Sequence, residues 1–173
     1  MKHIIAIVAA LVLAIPSHAQ ESEEAMTPAR LFDILVALDP EARQTGGGMF
    51  LTIEDVPVFV IMDPIADRMR AMVSIRSLEG LDGEDLFRVL QANFDTALDA
   101  RYAVAQGRLW GVYIHPLSRL SRDQLISGLG QTVNLALTYG GLYTGGAMTF
   151  GGGDSAPLQR QLIERLLEKG QDI

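Results

Sequence analysis

The sequence predicts an α+β fold: an antiparallel sheet of about five strands with helices on one face, in the order α-βββ-α-ββ-α, followed by a Gly-rich linker and a C-terminal helix. Three observations lead there. Apolar residues recur at spacings of three and four in separate stretches, the runs between them alternate or are wholly apolar, and Gly, Pro and Asp mark the boundaries.

The first helix starts at Thr27, an N-cap, with Pro28 at the first helical position, where its missing N–H costs nothing. Leu31, Phe32, Ile34, Leu35 and Leu38 form its apolar stripe, and Asp39-Pro40 ends it. Gly46-Gly47-Gly48 reads as a spacer. Strands are expected over residues 49–54 and 58–62 across a turn at Asp55-Val56-Pro57. A third follows Asp63-Pro64 over 68–76, where Met69, Ala71, Val73 and Ile75 oppose Arg68, Arg70, Ser74 and Arg76. Asp82 caps a second helix with Glu84 and Asp85 in its positive first turn. Its expected buried side is Leu86, Leu90, Phe94 and Ala97, flanked by Phe87, Val89 and Leu98, which makes it an internal helix.

Residues 101–106 and 109–115 form a hairpin about Gln106-Gly107-Arg108. Ser121 and Gln124 fit a capping box for a third helix carrying Leu125, Leu129, Val133 and Leu137, which stops at Gly140-Gly141. Beyond it residues 140–156 lose all periodicity and read as a Gly-rich linker, and 157–169 regain an amphipathic pattern with Leu158, Leu162, Ile163, Leu166 and Leu167, capped by Gly170. The main domain spans 27–139.

Ahead of it, residues 1–19 have the layout of a cleavable signal peptide: Lys2, a run of twelve apolar residues over 4–15, Pro16, then Ser17-His18-Ala19. Twelve residues fall short of the roughly 20 that span a bilayer. With no cysteine for a lipid anchor, the expectation is a periplasmic or secreted protein with no integral membrane segment after cleavage. The absence of cysteine also excludes thiol catalysis and thiolate metal sites. Of 14 Lys and Arg against 21 Asp and Glu, cleavage removes Lys2 and leaves a net charge of −8 with no basic run, so nucleic acid is not an expected partner.

Residues 86–136 carry a recognisable arrangement: Leu90 and Asn93 at a helix end, Gly107 and Leu109 at a hairpin, then Pro116-Leu117, Leu120 and Leu125. This resembles the conserved half of the class I type III secretion chaperones and their YbjN-type relatives, the putative bacterial sensory transduction regulators. The resemblance implies a small acidic homodimer that binds peptide segments on its surface, with no catalysis and no cofactor. Such chaperones are cytoplasmic, so a chain with its own export signal is an exported variant of the fold, and the linker and last helix lie beyond the usual fold.

No residue pattern argues for an enzyme. His115 is the one histidine left after cleavage and has no nucleophile elbow with it; it reads as a strand-end side chain. Asp95 and Asp99, four apart, read as solvated-face charges, and no metal site is expected. Gly46–Gly48 and Gly151–Gly153 lack the Lys-Ser/Thr of a phosphate loop. Met49, Met62, Met69 and Met72 read as core fillers. Trp110 shares one face of its strand with Val112 and Ile114, and the pattern leaves open which face is exposed. The candidate partner or dimer surface is Trp110, Val112 and Ile114 together with Phe94. The expected function is an exported, non-enzymatic, homodimeric protein- or peptide-binding domain. The alternative is a periplasmic module holding a small apolar or lipid-like ligand between sheet and helices.

Overall fold

A computed structural model describes residues 23–95, 97–140 and 157–171. The expected signal peptide, residues 141–156 of the linker and Gly151–Gly153 lie outside the described residues. Thr27 caps α1 (Pro28–Leu38), its hydroxyl accepting from the Arg30 N–H at 3.2 Å, and Asp39 ends the helix. The Asp39 carboxylate then accepts from the N–H groups of Glu41 (2.9 Å) and Thr52 (2.7 Å), which ties the helix end to the sheet.

The sheet has six strands, all pairs antiparallel: β1 (Arg43–Thr45), β2 (Gly48–Ile53), β3 (Val56–Asp63), β4 (Arg68–Ser77), β5 (Arg101–Ala105) and β6 (Arg108–His115), in the order β1-β2-β3-β4-β6-β5. One strand more than expected is present, because the polar run Arg43-Gln44-Thr45 pairs along the edge with residues 48–50. The three glycines are therefore no spacer. Gly46 and Gly47 turn the β1–β2 hairpin, and Gly48 lies within the sheet, where a Cβ would stand 2.5 Å from the Val60 carbonyl and 2.7 Å from the Phe59 ring.

The next turn also differs from expectation: it is the dipeptide Glu54-Asp55, both with positive φ, while Pro57 is a strand residue opposite Thr52. Two consecutive positive φ values match the right-handed twist of the flanking strands, and Gln106-Gly107 repeats the device between β5 and β6. At the β3–β4 turn Asp67 reaches across to Ser118, accepting from its N–H at 2.7 Å and its hydroxyl at 2.9 Å. Those two bonds, the N–H first, hold the Asp67 carboxyl below its usual range.

The inner sheet face presents Met49, Leu51, Val58, Val60, Met69, Ala71, Val73, Leu109 and Tyr113, all buried. Above it lie α1, over β2, and α3 (Arg122–Leu137), over β4 and β6. The capping box of α3 is reciprocal, Ser121 accepting from the Gln124 N–H and Gln124 from the Ser121 N–H. The last helix, α4 (Pro157–Gly170), packs across α3 and α1 as a third layer, burying Leu162 and Leu166. Gly130 and Gly170 admit it closely: Cβ atoms there would meet Ile163 and Ile126.

Asp82 caps α2 (Gly83–Asp95), its carboxylate accepting from the Glu84 N–H at 2.9 Å and the Asp85 N–H at 3.0 Å. The expected buried side of α2 is overturned. Val89 and Ala92 are buried beside β5, whereas Phe87 (67 % exposed), Leu90 (65 %) and Phe94 (78 %) face outward. Asn93 sets this rotation: its side-chain oxygen accepts from the Tyr102 N–H at 2.7 Å and its amide donates to the Tyr102 carbonyl at 3.0 Å. With Asn93 locked on β5, the Phe87–Leu90–Phe94 stripe points away, since successive residues are about 100° apart on a helix.

Candidate functional site

The face of the sheet away from α1 and α3 carries no helix among the described residues, and its outward side chains line up across strands. Phe50 stands opposite Phe59, Phe59 opposite Met72, and Met72 opposite Val112, so one apolar row crosses four strands. The Phe50 and Phe59 rings are stacked with centroids 4.5 Å apart. Directly opposed residues of this kind are near enough to pack as cross-strand pairs. Met72, expected in the core, belongs to this row, while Met49 and Met69 do fill the core.

Trp110 and Ile114 flank the row, Trp110 between Ser74 and Ala103, Ile114 beside Arg70. The Trp110 indole N–H donates to the Ala105 carbonyl at 3.0 Å, which satisfies its one polar atom and leaves the ring for apolar contact. Together Phe59, Met72, Trp110, Val112 and Ile114, with Arg70, border a depression of about 480 Å³. Trp110, Val112 and Ile114 thus come together on one surface, and it is the uncovered one. Phe94 does not join them. It belongs to the separate stripe on α2, and Phe87 and Leu90 share that stripe although their spacing reads as a buried face.

His115 ends β6 half-buried, its Nδ1 2.8 Å from the Pro116 carbonyl oxygen and its ring stacked 6.0 Å from that of Tyr113. Asp99 is exposed, and the side chain of Asp95 lies outside the described residues. No group of acidic or histidine side chains among the described residues is arranged to hold a metal ion, and no described helix is long and apolar enough to cross a membrane. Between sheet and helices the volume is taken up by Leu31, Leu35, Leu125, Leu129 and Val133, each fully buried. The depressions open instead on the outer face and at the end of β6.

No family model matches the chain, and no curated protein matches it. Among solved structures, it is similar to a chain of the ExsC–ExsE complex, with a TM-score of 0.51 at 11% identity, over 64% of this chain and 91% of that one. It is also similar to the Yersinia pestis type III secretion chaperone SycH, solved with a stable fragment of YscM2. That match has a TM-score of 0.47 at 20% identity, over 61% of this chain and 96% of that one. The described domain has a type III secretion chaperone-like fold, and at these identities the likeness is one of fold.

Proposed function

We propose that the protein is an exported, non-enzymatic domain that acts as a homodimer and binds a segment of another protein on the outer face of its sheet. The observation that carries this reading is the apolar row Phe50–Phe59–Met72–Val112, flanked by Trp110 and Ile114, on a face without a covering helix among the described residues. Contiguous apolar surface rimmed by polar residues is the usual mark of an interaction site. The fold likeness to a protein solved with a protein partner supports the same reading.

The α2 stripe supports the dimer. Phe87, Leu90 and Phe94 recur at three and four, so two copies of α2 related by a two-fold axis would bury the same residues of each. Lys2, the apolar run over 4–15 and Ala19 support export. The tests separate these parts. A photocrosslinking residue at Phe94 is expected to join two copies of the chain in intact cells, and one at Val112 to capture a different protein. Phe94→Ser is expected to weaken self-association at least about tenfold by light scattering. A wild-type chain that is monomeric at high concentration overturns the dimer, and a Val112 probe that captures nothing overturns the outer-face site.

A second reading, a small apolar ligand, is favoured by the depression beside Trp110 rather than by the filled interior. Native mass spectrometry decides it: a mass equal to the bare mature chain, with no co-purifying molecule, counts against it.

A further inference from the structure

A cavity of about 570 Å³ opens where β5 stops and β6 continues. The β5–β6 pairing ends at Arg101 opposite Val112, whereas β6 stays paired to β4 as far as His115 opposite Met69. Over Tyr113, Ile114 and His115 the far edge of β6 thus has no strand partner among the described residues. An edge of that kind presents main-chain donors and acceptors to an extended chain.

Tyr113 lines this cavity and is 4 % exposed, yet its hydroxyl has no hydrogen-bond partner among the described residues. Its position is built. The ring lies over Gly128 of α3, where a Cβ would collide with it. A buried hydroxyl without a partner is costly and uncommon, so one facing a cavity points to a group that belongs there. Burial, with a smaller contribution from the Asp99 carboxylate, pushes the Tyr113 hydroxyl up to about 12, so at neutral pH it is a donor.

Gln131, 3 % exposed, frames one wall: its side-chain oxygen accepts from the N–H groups of Asp99 (2.8 Å) and Ala100 (3.1 Å), and its amide donates to Ser127 Oγ at 3.2 Å. The Ser127 hydroxyl, having accepted, is left with its own proton to give. On the rim, Arg101 already donates to the carbonyls of Leu98 and Ala100, and Asp123 is paired with Arg122 at 3.2 Å. The Asp99 carboxylate has one long bond, 3.4 Å from the Gln131 amide, and no cation among the described residues.

We propose that this cavity binds an extended peptide segment carrying an ammonium group, which sits on Asp99, while the peptide main chain follows the free edge of β6 and a carbonyl accepts from Tyr113 and Ser127. The site is independent of the outer-face reading: of the residues used there only Ile114 borders both, and neither Trp110 nor the α2 stripe takes part.

The test uses the mature wild-type chain and three tetrapeptides followed by calorimetry and amide shifts: H-Ala-Ala-Ala-Ala-NH2, Ac-Ala-Lys-Ala-Ala-NH2 and Ac-Ala-Ala-Ala-Ala-NH2. At least one ammonium peptide is expected to bind about tenfold or more tighter than the fully blocked one and to shift the amides of Tyr113 to His115. Which of the two binds assigns the ammonium to a chain terminus or to a lysine. Asp99→Asn is expected to erase that preference, and Tyr113→Phe, which keeps the packed ring, to weaken binding several-fold. Equal affinity for the blocked peptide, or no shift with either ammonium peptide, overturns the proposal on the wild-type chain alone.

Discussion

Helices α2 and α3 both carry large apolar residues at helical spacing, and their fates are opposite. In α3, Leu125, Ile126, Leu129 and Val133 are fully buried, because the helix has the sheet beneath it and α4 above. In α2, Phe87, Leu90 and Phe94 stand in solvent, while the smaller Val89 and Ala92 make the contact. An apolar stripe states that a helix has something to cover. What covers it is decided elsewhere, in α2 by a single polar residue, Asn93, gripping the backbone of β5.

The sharpest way to break this contrast is to truncate one leucine in each helix. Leu129→Ala is expected to cost about 2–5 kcal/mol, since it opens a cavity between two packed layers, and Leu90→Ala no more than about 0.5 kcal/mol in the monomer. Urea unfolding with unchanged m-values checks both. Equal losses would mean that α2 is covered within the monomer.

A second effect belongs to the α3 side alone. Tyr113, seated on Gly128, keeps its proton in the folded chain up to about pH 12, whereas the unfolded chain loses it near 10.0. Between those values the folded state binds more protons, so stability is fully present below pH 10 and falls as pH rises through the folded value. Tyr113→Phe is expected to flatten that part of the stability curve.

The smallest effect sharpens the α2 side. Asn93→Ala removes both bonds to Tyr102 and is expected to cost about 1–2 kcal/mol. Hydrogen exchange is expected to rise chiefly in α2 and β5 and to leave α3 protected.

What could be read from the residues was local. Thr27, Asp82 and Ser121 with Gln124 cap the helices they precede, because a cap needs only neighbours within three residues. The strands within residues 49–115 follow from alternation or, over 58–62, from an unbroken apolar run between turn residues. Three polar residues at a sheet edge offer no such pattern, and so β1 was not legible. The outward turn of α2 was not legible either, for it rests on a contact between Asn93 and Tyr102 across a chain reversal. Trp110, Val112 and Ile114 could be placed on one face but not inside or outside, since period two is blind to that choice. The cavity at β6 joins Asp99, Tyr113, Ser127 and Gln131, which no spacing relates. Its nearest signal was Gln131, set among the apolar residues of α3 with Gly128 one turn before it.

The third layer has a consequence in time. The cover for α3 is a helix made after it, and its contacts reach far back along the chain: the Lys169 ammonium donates to the Leu38 carbonyl at 2.6 Å, and Arg165 pairs with Glu54 at 2.7 Å. While the chain is still being synthesised, the outer side of α3 has nothing to bury it, and closure waits for contacts of very long sequence separation. A polypeptide built this way completes the packing of α3 only after α4 has emerged.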